Sequence, residues 1–204
     1  AKTITRTVAE EAFSLLKKQG LHYKVLTLTA KEKICFCEEP DCNPEKCPYA
    51  RGHFDRVNDA VYELLTSYEE NSANYSRERI MEQAEKWKVC PFEMALDVSL
   101  WSDAIICDYN YVFDPQAKLK RFFAEGVKGD YLFLIDEAHN LVERGREMYS
   151  ATLYKEDFLE VKRFLRPFSR KAVAALERGN KYLLEWKREC EEYTLLSNID
   201  AFAL

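Results

Sequence analysis

The sequence is poor in the residues that mark unfolded and fibrous chains. Only six glycines and six prolines occur among its 204 residues, while 47% of the residues are hydrophobic and 13% are aromatic. This composition excludes a disordered chain, a collagen-like repeat and a low-complexity linker. A run of 18 or more apolar residues is also missing, which argues against a membrane partner. We therefore expect a globular chain of one or two domains.

The amino terminus lacks an initiator methionine, an apolar signal segment and the composition of a transit peptide. We interpret the sequence as a piece of a longer chain. A basic stripe of the kind that marks many nucleic-acid-binding domains is missing as well. The net charge is −5, with −10 concentrated in residues 31–143, and this acidity is weak evidence against a nucleic-acid partner.

Cysteine, in contrast, is abundant and unevenly placed. Five of the seven cysteines fall early in the chain, namely Cys35, Cys37, Cys42, Cys47 and Cys90, whereas Cys107 and Cys190 are isolated. An odd number, tight clustering and no secretory signal indicate metal or cluster ligation in a reducing compartment. Thiolate-rich sites select zinc, iron–sulfur clusters or copper(I). A zinc site of three cysteines and His53 remains an alternative, and Cys107 and Cys190 are interpreted as structural.

The hydrophobic pattern predicts helices over 7–18, from Asp55 to Leu65, from Ser76 to Trp87 and from Pro91 to Leu100, with a polar loop at 66–76. A β-like run covers 23–28. Two buried strands are predicted at 103–107 and 131–135, joined by a helix over 115–124. This strand–helix–strand spacing indicates a parallel sheet. Beyond Asn140 the sequence is predicted to be helical, with interruptions near Arg166-Pro167 and at Gly179.

An acidic box directly follows the predicted strand 131–135. Its residues are Asp136, Glu137, Ala138 and His139. In RecA-like phosphoryl-transfer enzymes, adjacent acids at this end of a parallel strand face the nucleotide phosphates. Asp136 suits the Mg²⁺ shell, Glu137 suits activation of the attacking water, and His139 could link the phosphate site to a neighbouring element. The alternative is a solvated strand end.

A glycine-rich loop ending in Lys-Ser or Lys-Thr, which this class needs for phosphate binding, is missing, because the six glycines are scattered. We therefore expect that this chain alone does not hydrolyse ATP, and that the phosphate-binding half lies upstream of Ala1.

The motifs taken together resemble the XPD-like and DinG-like iron–sulfur DNA helicases of superfamily 2, in a bacterial form. The matching segments are Thr5-Arg6-Thr7, Leu28-Thr29-Ala30-Lys31-x-Lys33-x-Cys35, Lys46-Cys47-Pro48-Tyr49, Val89-Cys90-Pro91-Phe92, Tyr109-Asn110-Tyr111-Val112-Phe113-Asp114-Pro115, and the acidic box with Asn140. Their order and spacing are more specific than any single segment.

The resemblance implies a helix-rich α/β fold. It predicts part of a RecA-like parallel-sheet motor domain over 1–33 and 101–147, an inserted iron–sulfur cluster domain over 34–100, and the start of a helical arch domain over 148–204. By this resemblance the ligands of a 4Fe–4S cluster are Cys35, Cys42, Cys47 and Cys90, with Cys37 as the alternate to Cys35. Amides at the start of the helix after Cys90 are expected to favour its thiolate form.

The family activity that the resemblance implies is ATP- and Mg²⁺-dependent 5′→3′ translocation on single-stranded DNA and unwinding at duplex junctions, in DNA repair or replication in the bacterial cytoplasm. Thr5, Arg6 and Thr7 would contact backbone phosphates, Lys31 would contact DNA, and Phe92 would stack on a base. The structural alternatives are a solvated Lys31 and a core-packed Phe92; Arg51 and Tyr111 are weaker candidates. A zinc-stabilised nucleic-acid-binding module without ATPase activity is the alternative function.

Overall fold

The protein is described from a computed structural model that covers residues 3–67 and 74–195, with side chains from Arg6 onward. The chain divides into two compact units, residues 1–149 and residues 150–204. The domain boundaries expected from the sequence stay predictions.

A small parallel sheet lies at the centre of the first unit. Strand β1 (Val25–Thr27) is its middle strand, flanked by β2 (Asn74–Tyr75) and β3 (Ala104–Ile106). Val25 pairs with Asn74 on one side and with Ala104 on the other. All of β1 is buried, as expected for a middle strand whose two faces are both covered. The predicted strands at 23–28 and 103–107 are confirmed, whereas β2 falls in the segment predicted as a loop.

Helices surround this sheet. Those of the first unit are α1 (Thr3–Lys18), α2 (Lys31–Ile34), α3 (His53–Thr66), α4 (Arg77–Trp87), α5 (Pro91–Ser99), α6 (Asn110–Phe113), α7 (Lys120–Phe123), a 3₁₀ turn (Ala138–Asn140) and α8 (Leu141–Met148). The Ser76 side chain accepts a hydrogen bond from the Arg79 N–H and caps α4. Cys90 precedes α5, and Pro91 takes its first position. The helices predicted at 7–18, 55–65, 76–87 and 91–100 are therefore confirmed.

The hydrophobic core joins α3, α4 and α5 to the sheet. Its fully buried members include Leu26 on β1, Ile80 on α4, and Met94 and Val98 on α5, each 0% exposed. The core therefore fixes α5, which begins just after Cys90, against the sheet. The loop over 35–52 touches this core through Phe36, and Cys47 is its one buried residue.

The prediction of a buried strand at 131–135 is wrong. This segment has no regular secondary structure, and the side chains of Leu132 and Leu134 are 88% and 87% exposed. An apolar run forms a buried strand only where a neighbouring strand pairs with its backbone and other elements cover both faces. Among the described residues, no strand pairs with this segment and no elements cover both of its faces. The helix predicted over 115–124 is reduced to the single turn of α7.

The second unit is a helical hairpin of α9 (Lys155–Leu165) and α10 (Arg170–Glu189). The Ser169 hydroxyl caps α10, and Lys162 pairs with Glu177 at 2.8 Å across the hairpin. The break near 166–167 is confirmed, but the predicted interruption at Gly179 is wrong. Gly179 is buried inside α10, and a single packed glycine costs a helix only about 1 kcal/mol.

Among the described residues, no helix is both long enough and apolar enough to span a membrane.

Candidate functional site

Three of the early cysteines lie near one another on the loop that follows α2. The Sγ atoms of Cys37 and Cys47 are 4.0 Å apart, and Cys37 also interacts with Cys35. Burial, reinforced by the neighbouring thiols of Cys47 and Cys35, raises the pKa of Cys37 to about 11. None of the seven cysteines is in a disulfide. The Cys37 thiol therefore stays protonated near neutral pH until a cation compensates its charge.

Cys42 and Cys90 lie near Lys31 at the start of α2. A hydrogen bond to Cys42 raises the pKa of Lys31, and Cys90 and Glu93 add to this shift. Cys35 and Cys47 thus lie beside Cys37, whereas Cys42 lies beside Lys31. Lys31 therefore contacts a cysteine while its side chain stays partly exposed.

Cys90 stands at the amino terminus of α5, as the sequence predicts. The backbone N–H groups of Phe92 and Glu93 donate toward its sulfur and lower its pKa, but burial outweighs them and raises it. The helix amides therefore favour the thiolate form of Cys90, as expected, but desolvation disfavours the charged form more strongly.

His53 lies beside Cys90 but engages its backbone. The Cys90 N–H donates to His53 Nδ1 at 3.2 Å, and the His53 side chain is 4% exposed. Burial lowers the pKa of His53, so the neutral ring accepts this bond. The nitrogen nearest Cys90 is thereby occupied by an amide instead of being free as a metal ligand.

The loop between the cysteines is held mostly by polar contacts. Lys46 pairs with Asp41 at 2.7 Å, and the Arg51 guanidinium donates to the carbonyl oxygens of Pro44 and Glu45. The Tyr49 hydroxyl donates to Glu85 on α4 at 2.7 Å. Since these contacts are mainly exposed, the loop has little apolar burial of its own to stabilise it.

Within residues 3–67 and 74–195, no three His, Cys, Asp or Glu side chains are close enough together to hold a metal ion as they stand. The chemistry of the donors nevertheless fits a thiolate-ligated group: five thiols come from the loop and the start of α5, and two of them are already in contact. The ligand set predicted from the sequence is neither assembled nor contradicted, and it stays a prediction.

The acidic box is exposed. Asp136, Glu137 and His139 all lie on the surface, and His139 Nε2 is 3.3 Å from a Glu137 carboxylate oxygen. Glu137 has a φ of 51°, in the left-handed region. The Tyr109 hydroxyl donates to the Asp136 carbonyl oxygen at 2.9 Å and ties the box to the segment after β3. Both carboxylates are thus accessible to a solvated cation.

The DNA-binding candidates are spread over several elements. Thr5, Arg6 and Thr7 lie in the first turns of α1, and the Thr5 side chain lies outside the described residues. Arg6 Nε is buried and has no hydrogen-bond partner in the described part of the chain. Phe92 is half-buried and packs against the core, as its structural alternative expects.

Two residues with structural roles at this site were missed by sequence reasoning, namely Arg56 and Tyr109. Both donate to main-chain carbonyl oxygens distant in sequence. Such contacts carry no sequence signature, because every residue offers the same carbonyl group.

Comparison with known proteins adds a family and two relatives. Residues 7–158 match the DEAD_2 family model. The chain is 30% identical over 95 residues to the Fanconi anemia group J protein homolog of Gallus gallus, a stretch that covers 44% of this chain and 7% of that protein. It is 28% identical over 104 residues to the general transcription and DNA repair factor IIH helicase subunit XPD/RAD3 of Saccharomyces cerevisiae, covering 51% of this chain and 12% of that protein.

These alignments span only a small part of either relative. The family match, in contrast, includes the cysteine loop, the small parallel sheet and the acidic box. The chain belongs to the DEAD_2 family.

Proposed function

We propose that this chain is the cluster-bearing part of an ATP-dependent DNA helicase that moves 5′→3′ along single-stranded DNA. The observation that carries the proposal is the group of cysteines Cys35, Cys37, Cys42, Cys47 and Cys90, held at one side of a parallel α/β core in a DEAD_2 chain. One relative is named as a helicase subunit of a DNA repair factor, which supports a role in repair. The bacterial cytoplasmic, nucleoid-associated location is proposed from the sequence resemblance alone.

Cys35, Cys42, Cys47 and Cys90 would hold a 4Fe–4S cluster, with Cys37 as the alternate to Cys35. Such a cluster would supply cross-links between the loop and α5. The need for them follows from the loop itself, because residues 35–52 bury little apolar surface, and metal ligation then contributes folding free energy that the loop lacks.

The acidic box would serve the nucleotide site. Asp136 would hold Mg²⁺, Glu137 would orient and deprotonate the attacking water, and His139 would connect this site to a neighbouring element. The exposure of both carboxylates supports accessibility to Mg-ATP. Since the sequence holds no glycine-rich phosphate loop, this chain alone should not hydrolyse ATP.

DNA would run along the start of α1 and past the cysteine loop. Thr5, Arg6 and Thr7 would contact backbone phosphates, and Lys31 and Phe92 would act near the cluster. In this arrangement, residues 34–100 form the cluster domain between two segments of a motor domain, 1–33 and 101–147, and residues 148–204 begin the arch.

The test is anaerobic purification followed by a visible spectrum and by iron, sulfide and zinc analysis. We expect a brown protein with about four irons and four sulfides per chain. Cys90→Ser should lose the iron, whereas Cys107→Ser, in the same unit but outside the loop, should retain it. A colourless protein with one stoichiometric zinc would refute the cluster and favour the zinc-stabilised binding module.

A further inference from the structure

The turn that carries Cys90 is bound by a single guanidinium. Arg56, on the first turn of α3, donates from Nε to the Trp87 carbonyl oxygen at 2.9 Å and from a terminal nitrogen to the Lys88 carbonyl oxygen at 2.6 Å. These carbonyls end α4, where a cation is electrostatically favoured. Lys88 itself adopts a left-handed conformation, with φ of 52°, which turns the chain toward Cys90.

The same guanidinium also holds the other cysteine segment. A terminal nitrogen of Arg56 donates to the Arg51 carbonyl oxygen at 2.8 Å. The Arg51 N–H donates to the Cys47 carbonyl oxygen at 3.1 Å, and this bond closes a backbone turn between the two residues. One side chain therefore bridges the segment that contains Cys47 and the turn that precedes Cys90.

Gly52 leaves the space that this guanidinium occupies. A Cβ at position 52 would lie 2.6 Å from a terminal nitrogen of Arg56, and the φ of Gly52 is +64°. Any side chain here would displace the guanidinium and strain the backbone. Position 52 therefore requires glycine for two reasons: the Arg56 guanidinium occupies the space of a Cβ, and the backbone has a positive φ.

His53 adds a second tie to the same turn. Its Nδ1 accepts from the Cys90 N–H, so an N–H at this ring position is excluded and the ring proton sits on Nε2. We name Gly52, His53 and Arg56 the α3 clamp. All of its hydrogen bonds to the Cys90 turn go to backbone atoms. The clamp therefore fixes the position of the Cys90 backbone and leaves the Cys90 sulfur free to bind a metal.

We propose that the α3 clamp is a positioning device for the metal site: it holds the Cys90 turn against the Cys47 segment before any metal binds. This inference rests on the proposed cluster. Cys90 is far from the other ligand candidates in sequence, and bringing it to them costs chain entropy. A turn held in place beforehand removes that cost from the binding step.

The test uses the full chain purified anaerobically and compares Arg56→Gln and Gly52→Ala with wild type. The readouts are iron and sulfide per chain, the half-time of bleaching by a ferrous chelator, and the electron paramagnetic resonance line shape of the reduced cluster. Outer partners of metal sites typically contribute about 10- to 100-fold to metal affinity. We expect bleaching at least about tenfold faster for both variants and a changed line shape.

Two further variants separate positioning from general stability. Arg56→Lys keeps the charge but loses the forked geometry, and it should restore part of the resistance to the chelator. Lys86→Gln removes an exposed ion pair to Glu63 that also joins α3 and α4 but does not touch the Cys90 turn. It should bleach like wild type.

Each outcome has a distinct consequence. Wild type without iron overturns the proposed cluster, and with it the role of the clamp. Wild type loaded with iron, with Arg56→Gln equally loaded and equally resistant, overturns the clamp alone. Equal weakening by Lys86→Gln would also overturn it, because the effect would then reflect any loss of contact between α3 and α4.

Discussion

Two regions of this chain carry its predicted functional residues, and they differ in what surrounds them. The cysteine-bearing region, residues 31–67 and 74–99, is packed on helices that share one core with the parallel sheet. The acidic segment, residues 131–140, is exposed along nearly its whole length. A substitution in the first region alters the packing of neighbouring side chains, whereas a substitution in the second mainly alters contacts with solvent.

This difference shows what a local sequence motif needs to become a site. The cysteines are positioned by contacts within the described structure, among them the bond from the Cys90 N–H to His53. The acidic segment is held by the Tyr109 bond, by the His139–Glu137 contact and by ring contacts of Tyr131 and Phe133 with α7. A buried phosphate site additionally requires elements that exclude water, and the described residues place none over this segment.

The largest contrast is expected in stability. Ile80→Ala, at a position that is 0% exposed in the core, should cost about 2–5 kcal/mol of unfolding free energy, because it removes buried methyl groups and leaves a cavity. Leu134→Ala, at a position that is 87% exposed, should change it by less than about 0.5 kcal/mol. Urea denaturation followed by circular dichroism measures both. An equal cost at the two positions would show that the acidic segment packs like the core.

Locally encoded elements were predictable from the sequence. The cap at Ser76, the Cys90-Pro91 start of α5 and the apolar pattern of α3 each involve residues within a few positions of one another. Their physical causes, capping and helical periodicity, act over the same short range.

Elements that depend on distant partners were not predictable in the same way. Strand β2 has only two residues and forms because β1 offers its backbone. Conversely, residues 131–135 are as apolar as a buried strand but have no partner strand in the described structure. At the site, cysteine spacing located the loop, but it did not predict that Cys37 lies in contact with Cys47.

The second contrast concerns the thiols of Cys37 and Cys42, which lie on the same loop. If Cys42 is a cluster ligand, Cys42→Ser should lose most of the iron and expose the loop over 35–52 to protease, while the helices of the shared core stay protected. Cys37→Ser should keep the iron. Iron analysis and limited proteolysis with mass spectrometry measure both effects. Iron loss in Cys37→Ser with retention in Cys42→Ser would exchange the two assignments.

A smaller effect is expected from the acidic segment itself. Glu137→Gln removes a carboxylate whose side chain is 60% exposed, so the unfolding free energy should change by less than about 0.5 kcal/mol, and the iron content should stay at the wild-type level. Asp136→Asn is the matched second variant. Destabilisation or iron loss in either would mean that the acids support the fold of the cysteine-bearing region, and the two regions would not be independent.

The smallest expected effect is a pH-dependent contribution of Glu63 to the stability of the cysteine-bearing region. Hydrogen bonds from Lys86 and from Trp87 Nε1 (2.8 Å) lower the pKa of Glu63 below its ordinary value of 4.5. A lowered pKa in the folded state adds stability that is present above the ordinary value and is lost as the pH falls through the folded value. Glu63→Gln should therefore lower the thermal midpoint slightly at neutral pH, and its difference from wild type should vanish in acid below that folded value. A constant difference between Glu63→Gln and wild type at every pH would assign the effect to lost packing instead of charge.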